Sequence, residues 1–566
     1  MGRETNSLFG GASVSDRPGV GGGAVAEHVV ELDAGRVGGA IRSGVLAFSG
    51  IPYAGPVSGP GRWRPAGPVT PWRGVRSADR FGPLAPQPPP GIGMSIGGEP
   101  DEHDEDCLTA NVWTPSLGGR RPVLVWIHGG GFTSGSGSGV LYRGGMLARE
   151  HDVVVVTFNY RLGALGWLAH PALAIDGGDA AGDMGGGSGA RFGNWGLSDQ
   201  IALLDWVRRN IAGFGGDPGN VTVFGESAGG MSVSALLGSP QARGLFHRAV
   251  VQSGPPYWHT PDQAAVAAER LASELGVPLE RRALAQVPAD ALVAATDAVA
   301  EAARGGTGLP LPFLPVVGDG ILPEEPRRAV GLGSVSSVPL VVGVTRDEAS
   351  FFAMSAPAFP HLDEERLAVW VRRSLPACDD PAGLIDAYRA ARSARGEPVE
   401  PRHLWVAIST DAVFRLPSVR LADVHSRAWA GEVGTGTHAY LFTWESPAFG
   451  GLLGSCHALD IPFVFGSVVR PELQMFSGGS EDAHALSARM RTDWTAFARE
   501  GTPGGHWSAW DPLSRPTMVF GPWPGVTGGP GGPGGKEGAG GLARVVAGPR
   551  DEELTILAAA LGPAGA

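Results

Sequence analysis

One short segment constrains this chain more than any other, a serine between glycines in Gly225-Glu226-Ser227-Ala228-Gly229. The residues before it, Val221-Thr222-Val223-Phe224, are apolar or β-branched and predict a buried strand. The residues from Met231 to Leu237 have helical composition. A strand that turns sharply into a helix holds the serine in strained backbone angles, and the glycines let neighbouring backbone pass without Cβ clashes. The pattern predicts Ser227 as a nucleophile above a sheet; the alternative is an ordinary Gly/Ser turn.

Apolar strands alternate with helices through most of the chain. Leu197, Ile201 and Leu204 fall on one face of a predicted helix. Another helix is predicted to begin at Thr260-Pro261-Asp262-Gln263, a capping box with proline at the first helical position. This alternation predicts an α/β fold with a mostly parallel central sheet, covered by helices on both faces. Besides the strand before Ser227, the predicted strands are Val123–Ile127, Val153–Val156, Pro339–Val344 and Ala439–Trp444.

A glycine-rich segment, His128-Gly129-Gly130-Gly131, directly follows the predicted strand Val123–Ile127. Consecutive glycines let backbone N–H groups converge on one point, which is how an oxyanion hole is built. The alternative is a flexible glycine hairpin. A phosphate-binding loop is disfavoured because no Gly-Lys-Ser/Thr follows.

Together these motifs resemble the type-B carboxylesterase family, which includes para-nitrobenzyl esterases, liver-type carboxylesterases and cholinesterases. Two further segments support the resemblance, Glu105-Asp106-Cys107-Leu108-Thr109-Ala110-Asn111-Val112 and Gly193-Asn194-Trp195-Gly196-Leu197-Ser198-Asp199-Gln200. The resemblance runs from about Val37 to about Trp523. It implies the α/β-hydrolase fold and a Ser–Glu–His triad.

The resemblance places the triad acid at Glu348 and the base at His457. The order Ser, acid, His along the chain is that of α/β-hydrolases. Taken alone, an Asp-Glu pair after a strand is usually a solvated turn, and His457 is one of 14 histidines. Asp347 and Glu226 are also candidate acids, and the resemblance selects Glu348 over both.

Five further residues are assigned to the site through the same resemblance. The backbone N–H groups of Gly130, Gly131 and Ala228 are expected to hold the oxyanion. Glu226 resembles a family residue that sits in the site and tunes the histidine, and Ser253 resembles a buried supporting hydroxyl.

The chain is expected to form one large domain between two low-complexity ends. Residues 1–24 are predicted to be a disordered N-terminal arm, and residues 25–523 an α/β-hydrolase catalytic domain. Residues 524–566 are predicted to be a Gly/Pro-rich linker with a short C-terminal segment. Truncation after about Trp523 is expected to leave an active enzyme. The alternative is that Val545-Val546 and the terminal helix dock back onto the domain.

Charge and cysteine content bear on partners and location. The formal net charge is −12 and no Lys/Arg-rich run occurs, so neither nucleic acid nor an anionic membrane is an expected partner. No signal-peptide core and no run of 18 apolar residues is present. The three cysteines are too few for a disulfide framework, and Ala85 stands where many secreted relatives have the partner of Cys107. A cytoplasmic protein is expected.

The predicted reaction is hydrolysis of a small-molecule carboxylic ester through an acyl-enzyme, without cofactor or metal. No His-Glu-x-x-His and no paired Cys-x-x-Cys occurs. The alternative is a non-catalytic, cholinesterase-like interaction module. Such modules usually lose a triad residue, whereas this chain keeps all three. The sequence leaves open the physiological ester, activity on amides, carbamates or lactones, the role of the glycine-rich loop Asp176–Arg191, and the oligomeric state.

Overall fold

The computed structural model describes residues 28–89, 102–175, 191–304, 311–335, 337–431, 436–523 and 541–562. The predicted N-terminal arm, nearly all of the loop Asp176–Arg191 and nearly all of the glycine-rich stretch 525–541 lie outside these ranges. In the described ranges, thirteen strands form one sheet. The strands are β1 (His28–Leu32), β2 (Gly35–Arg42), β3 (Val45–Pro52), β4 (Val75–Ser77), β5 (Thr109–Thr114), β6 (Arg121–Ile127), β7 (Val154–Phe158), β8 (Gly216–Glu226), β9 (Arg248–Gln252), β10 (Leu340–Thr345), β11 (Thr437–Phe442), β12 (Pro516–Phe520) and β13 (Ala543–Ala547).

The sheet is parallel at its centre and antiparallel at its edges. Its order is β1-β2-β3-β5-β7-β6-β8-β9-β10-β11-β12-β13, with β4 paired to β2. Every neighbouring pair from β7 to β12 is parallel. The edge pairs β1–β2, β2–β3, β3–β5, β5–β7 and β12–β13 are antiparallel. The predicted α/β fold with a mostly parallel central sheet is confirmed.

Both faces of the central strands are buried, which explains their continuous apolar runs. Along β6, Val123, Val125 and Ile127 enter one hydrophobic core, whereas Leu124 and Trp126 enter a second core on the opposite face. Successive side chains of a strand point to opposite faces, so a strand covered on both sides is apolar at every position. Helices α3 and α4 contribute to the first core, and α14 and α16 to the second.

The helices follow the strands as the sequence predicts. The predicted helix through Leu197 is α3, and the capping box at Thr260 is confirmed, since its side chain accepts a hydrogen bond from Gln263 N at 3.2 Å. The helices are α1 (Gly145–His151), α2 (Gly163–Trp167), α3 (Trp195–Asn210), α4 (Ala228–Gly238), α5 (Pro261–Leu275), α6 (Arg281–Leu284), α7 (Ala289–Arg304), α8 (Pro326–Gly331), α9 (Glu348–Ala353), α10 (Glu364–Ser374), α11 (Pro381–Ala394), α12 (Pro401–Thr410), α13 (Leu416–Ala428), α14 (Ile461–Phe465), α15 (Gln474–Ser477), α16 (Glu481–Glu500) and α17 (Asp551–Leu561). A π-helical turn, Asp411–Arg415, joins α12 to α13.

The C-terminal segment packs onto the domain, which is the alternative stated from the sequence for Val545-Val546 and the terminal helix. Strand β13 pairs with β12 from Phe520–Ala543 to Pro516–Ala547. Helix α17 buries Leu554 and Leu557 in a cluster with side chains of α10, α11 and α12. The low complexity of a linker carries no information about the segment beyond it. Without β13, strand β12 would be an edge strand with free backbone groups, and β13 pairs with them.

Candidate active site

Ser227 lies at a strained turn between β8 and α4. Its backbone has φ 57° and ψ −125°, an unusual conformation for a residue with a side chain. A Cβ on Gly229 would collide with the carbonyl oxygen of Ile127, and one on Gly225 would lie 2.6 Å from Gly229 C. The turn is fixed further by a 3.0 Å hydrogen bond from Ser227 N to Gln252 O. The glycines of the motif are therefore required by the close passage of neighbouring backbone.

The structure brings Glu348 and His457 together. Glu348 is the first residue of α9, just beyond the end of β10, and His457 lies in the loop between β11 and α14. The two side chains are buried, and His457 Nδ1 is 2.5 Å from Glu348 Oε2. The other carboxylate oxygen, Oε1, accepts a 2.7 Å hydrogen bond from Thr345 N. These contacts fix the orientation of the imidazole, because both carboxylate oxygens are engaged.

Asp347 is held away from the imidazole. Its Oδ2 accepts hydrogen bonds from the Arg346 guanidinium at 2.7 Å and from Ser455 N at 2.9 Å. Burial alone would raise the pKa of Asp347, but the Arg346 cation outweighs it and holds this pKa below the ordinary value of an aspartate. Of the two adjacent carboxylates, only Glu348 contacts His457.

Glu226 approaches the other side of the imidazole. Its Oε1 lies 3.1 Å from His457 Nε2, without hydrogen-bond geometry. Burial raises the pKa of Glu226, and the nearby His457 opposes this shift. Burial lowers the pKa of His457, but the carboxylates of Glu226 and Glu348 outweigh it, and the net shift is upward. Within the described residues no hydrogen bond joins Ser227 Oγ to His457 Nε2.

The glycine segment after β6 lies against the nucleophile. A Cβ on Gly129 would lie 3.1 Å from Ser227 Cβ. Gly130 and Gly131 have φ of 111° and 62°, left-handed conformations that favour glycine. In the described part of the chain, the N–H groups of Gly130, Gly131 and Ala228 donate no hydrogen bond. Ala228 is the first residue of α4, where backbone N–H groups have no partner within the helix. The structure therefore leaves these three N–H groups without a partner in the part of the chain that it describes.

Ser253 and Asp460 are two further buried polar residues. Ser253 is buried with φ 48°, and its Oγ finds no hydrogen-bond partner among the described residues. Asp460 was not predicted as a site residue; it accepts hydrogen bonds from Tyr440 Oη at 2.7 Å and Gln252 Nε2 at 3.0 Å. Burial raises the pKa of Asp460 to about 6. Its position three residues after His457 was the available signal.

Aromatic rings surround the imidazole on its remaining sides. The ring centroids of Phe352 and Phe414 lie 4.9 Å and 5.1 Å from that of His457. Phe352 is 42% exposed and stacks on Phe414, so one face of this aromatic pair is open to solvent. Phe414 was missed at the level of sequence because it comes from the π-helical turn, more than 60 positions from Glu348.

The described residues also bear on metals and membranes. No group of three or more His, Cys, Asp or Glu side chains in the described ranges is arranged to hold a metal ion. Within the same ranges, no helix combines the length and apolarity that a membrane span requires. Cys107, Cys378 and Cys456 are all buried free thiols.

Comparison with known proteins identifies the family. Residues 26–521 match the model of the carboxylesterase family. Phenmedipham hydrolase of Pseudarthrobacter oxydans is 36% identical over 488 residues, which cover 85% of this chain and 91% of that protein. Para-nitrobenzyl esterase of Bacillus subtilis (strain 168) is 34% identical over 507 residues, covering 87% and 94%. A solved carboxylesterase structure from Geobacillus stearothermophilus aligns with a TM-score of 0.75 at 34% identity, covering 94% of this chain and 100% of that one. The chain therefore belongs to the carboxylesterase family and is a carboxylesterase with the α/β-hydrolase fold.

Proposed function

We propose that the protein hydrolyses small-molecule carboxylic esters through an acyl-enzyme formed on Ser227, with His457 as the base and Glu348 as the orienting acid. The observation that carries the proposal is the 2.5 Å contact between Glu348 Oε2 and His457 Nδ1 beside the Ser227 turn. A carboxylate at Nδ1 fixes the tautomer in which Nε2 is free to accept a proton.

In the first half-reaction, His457 Nε2 takes the proton of Ser227 Oγ while that oxygen attacks the ester carbonyl. The imidazolium then gives its proton to the departing alcohol, and Glu348 stabilises the positive charge. The raised pKa of His457 fits this role, because the carboxylates around it favour the charged form. The hydrogen bond between Ser227 and His457 is expected to form when substrate binds, since such bonds are often long in free enzymes.

The carbonyl oxygen becomes an anion in the tetrahedral intermediate. The N–H groups of Gly130, Gly131 and Ala228 are the donors that we assign to it. Removal of one such donor typically lowers the rate by about 10² to 10³. In the second half-reaction, water replaces the alcohol, His457 takes its proton, and the acid departs with Ser227 restored.

Glu226 and Ser253 are assigned supporting roles. The ionised form of Glu226 places a negative charge 3.1 Å from His457 Nε2, which raises the pKa of the imidazole. Ser253 is buried, and its N–H donates to Gly343 O at 2.8 Å. We also propose a cytoplasmic location, supported by the three unpaired thiols, which are usual in a reducing compartment.

Replacement of Ser227 by alanine tests the proposal. Turnover of p-nitrophenyl acyl esters is expected to fall by about 10⁶, the loss seen when a serine nucleophile is removed. The matched control is Ser234→Ala, a buried α4 serine whose hydroxyl bonds Gly254 O at 3.0 Å. It is expected to retain turnover. If the Ser227→Ala enzyme were as active as the Ser234→Ala control, the assignment of Ser227 as the nucleophile would be refuted.

A further inference from the structure

The side chain of Gln87 pairs with both backbone polar groups of Gly135, in the segment that follows Gly129-Gly130-Gly131. Its Oε1 accepts a hydrogen bond from Gly135 N at 2.8 Å, and its Nε2 donates to Gly135 O at 3.0 Å. Nε2 also donates to Ala85 O at 3.1 Å. A partly buried amide that bonds both polar groups of one residue acts like a strand neighbour, so Gly135 cannot rotate freely while Gln87 is in place.

The peptide that Gln87 holds lies directly against Gly130. The Ser134 carbonyl and the Gly135 N–H belong to one planar trans peptide, so they point in opposite directions. The N–H points to Gln87, and the carbonyl oxygen occupies the space where a Cβ on Gly130 would be. Ser134 also bonds Gly130 O through both its N and its Oγ, each at 3.0 Å. The position of Gly130 therefore depends on the orientation of the Ser134–Gly135 peptide.

The same planarity sets the direction of the oxyanion donors. The Gly130 carbonyl and the Gly131 N–H share a peptide, so bonding of that carbonyl to Ser134 turns the Gly131 N–H to the opposite side. In the preceding peptide, the Gly129 carbonyl lies 2.8 Å from His128 Nδ1, which orients the Gly130 N–H in the same way. Each donor direction is thus fixed by a contact on the opposite side of its peptide.

We infer that Gln87 is a positioning residue for the oxyanion hole, acting on the N–H groups of Gly130 and Gly131 through the Ser134–Gly135 peptide. The inference rests on the proposed function, since it takes these N–H groups as the oxyanion donors. A second side chain joins the same two segments. Asn159 donates to Pro83 O at 2.8 Å and accepts from Gly137 N at 2.7 Å, so it connects the segment before Gln87 to the segment after Gly135.

The test compares Gln87→Met with Gln241→Met. Methionine keeps the approximate volume of glutamine and removes both hydrogen bonds to Gly135. Gln241 is a matched control because it is also partly buried, donates to Gly320 O at 2.8 Å and accepts from Arg191 at 3.2 Å. It lies beyond the C-terminal end of α4, and the eleven residues of that helix span about 16 Å from Ser227.

Two measurements separate positioning from loss of structure. The first is kcat and KM for p-nitrophenyl butyrate, well below the unfolding temperature of each variant. The second is inhibition by an alkyl trifluoromethyl ketone, which adds reversibly to Ser227 Oγ and carries an oxyanion in the adduct. Gln87→Met is expected to lower kcat by about 10- to 100-fold with little change in KM, because misplaced donors weaken binding of the oxyanion only. The inhibition constant of the ketone is expected to rise by the same factor.

The outcomes distinguish this inference from the proposed function. A fluorophosphonate ester, which phosphonylates activated serines, is expected to label Ser227 in the wild type, and absence of this label would overturn the proposed function. Labelling at Ser227 together with Gln87→Met kinetics equal to those of Gln241→Met would overturn the role of Gln87 alone. If Gln87→Met does not fold, the same measurements are made on Gln87→Glu. This variant keeps the acceptor for Gly135 N and loses the donor to Gly135 O. A smaller loss of kcat is then expected, and wild-type kcat together with a wild-type ketone inhibition constant would refute the inference.

Discussion

Replacement of Leu557 by alanine tests whether the C-terminal helix is part of the folded core. Leu557 is 0% exposed and packs with side chains of α10, α11 and α12. Leucine-to-alanine changes at such sites cost 2–5 kcal/mol, and we take about 3 kcal/mol. Unfolding entropy is about 2.1 cal/mol/K per residue, which is about 1 kcal/mol/K for roughly 500 ordered residues. Division of the lost free energy by this unfolding entropy predicts a fall in Tm of about 3 °C.

The assay is thermal unfolding followed by circular dichroism at a fixed scan rate. The matched control is Leu513→Ala, the same truncation at a leucine that is 94% exposed, where the free energy of unfolding is expected to change by less than about 0.5 kcal/mol. Removal of residues 541–566 is expected to lower Tm further, because it also removes Leu554 and the pairing of β13 with β12. Equal unfolding temperatures for Leu557→Ala and Leu513→Ala would show that α17 does not dock in solution.

Two further predictions concern the carboxylates around the imidazole. Glu348→Gln is expected to lower kcat by about 10⁴, as when the acid of a triad becomes its amide. Asp347→Asn is expected to cost little, because Asp347 bonds Arg346 rather than His457; steady-state kinetics that show the reverse order would place the acid one residue earlier. Glu226→Gln is expected to lower the pKa of His457. Because the base acts when neutral, the rise of kcat/KM with pH should then occur at lower pH, and an unmoved pH profile would contradict the tuning role.

Local sequence patterns were sufficient to predict the fold, because each pattern follows from a specific physical constraint. Strand β6 is apolar at every core position since it is buried on both faces. The Thr260 capping box marks the residue at which α5 begins. Strand ends were less accurate. The prediction for β8 began at Val221, whereas the strand begins at Gly216, because its first residue pairs with Arg121 across an irregularity in the ladder. Such pairing depends on a neighbouring strand and leaves no periodic signal.

Contacts between distant segments limited how many of the site residues could be predicted from the sequence. The Ser227 turn is a local motif, and the resemblance supplied Glu348 and His457, which are 109 positions apart and meet in the structure. Gln87 and Phe414 carried no motif of their own. Their proximity to the site comes from the course of the chain around Gly135 and from the π-helical turn, and neither is encoded in the residues next to them.

Mass-spectrometric mapping of the enzyme after reaction with a fluorophosphonate ester tests the central claim most directly. The reagent phosphonylates an activated serine with loss of fluoride, and it forms a stable analogue of the acyl-enzyme. We predict one label per chain, on the peptide that contains Ser227, with loss of esterase activity in proportion to labelling. We also predict no labelling of the Ser227→Ala variant. Stoichiometric labelling of a different serine, or full esterase activity in the completely labelled protein, would contradict the assignment of Ser227 as the nucleophile.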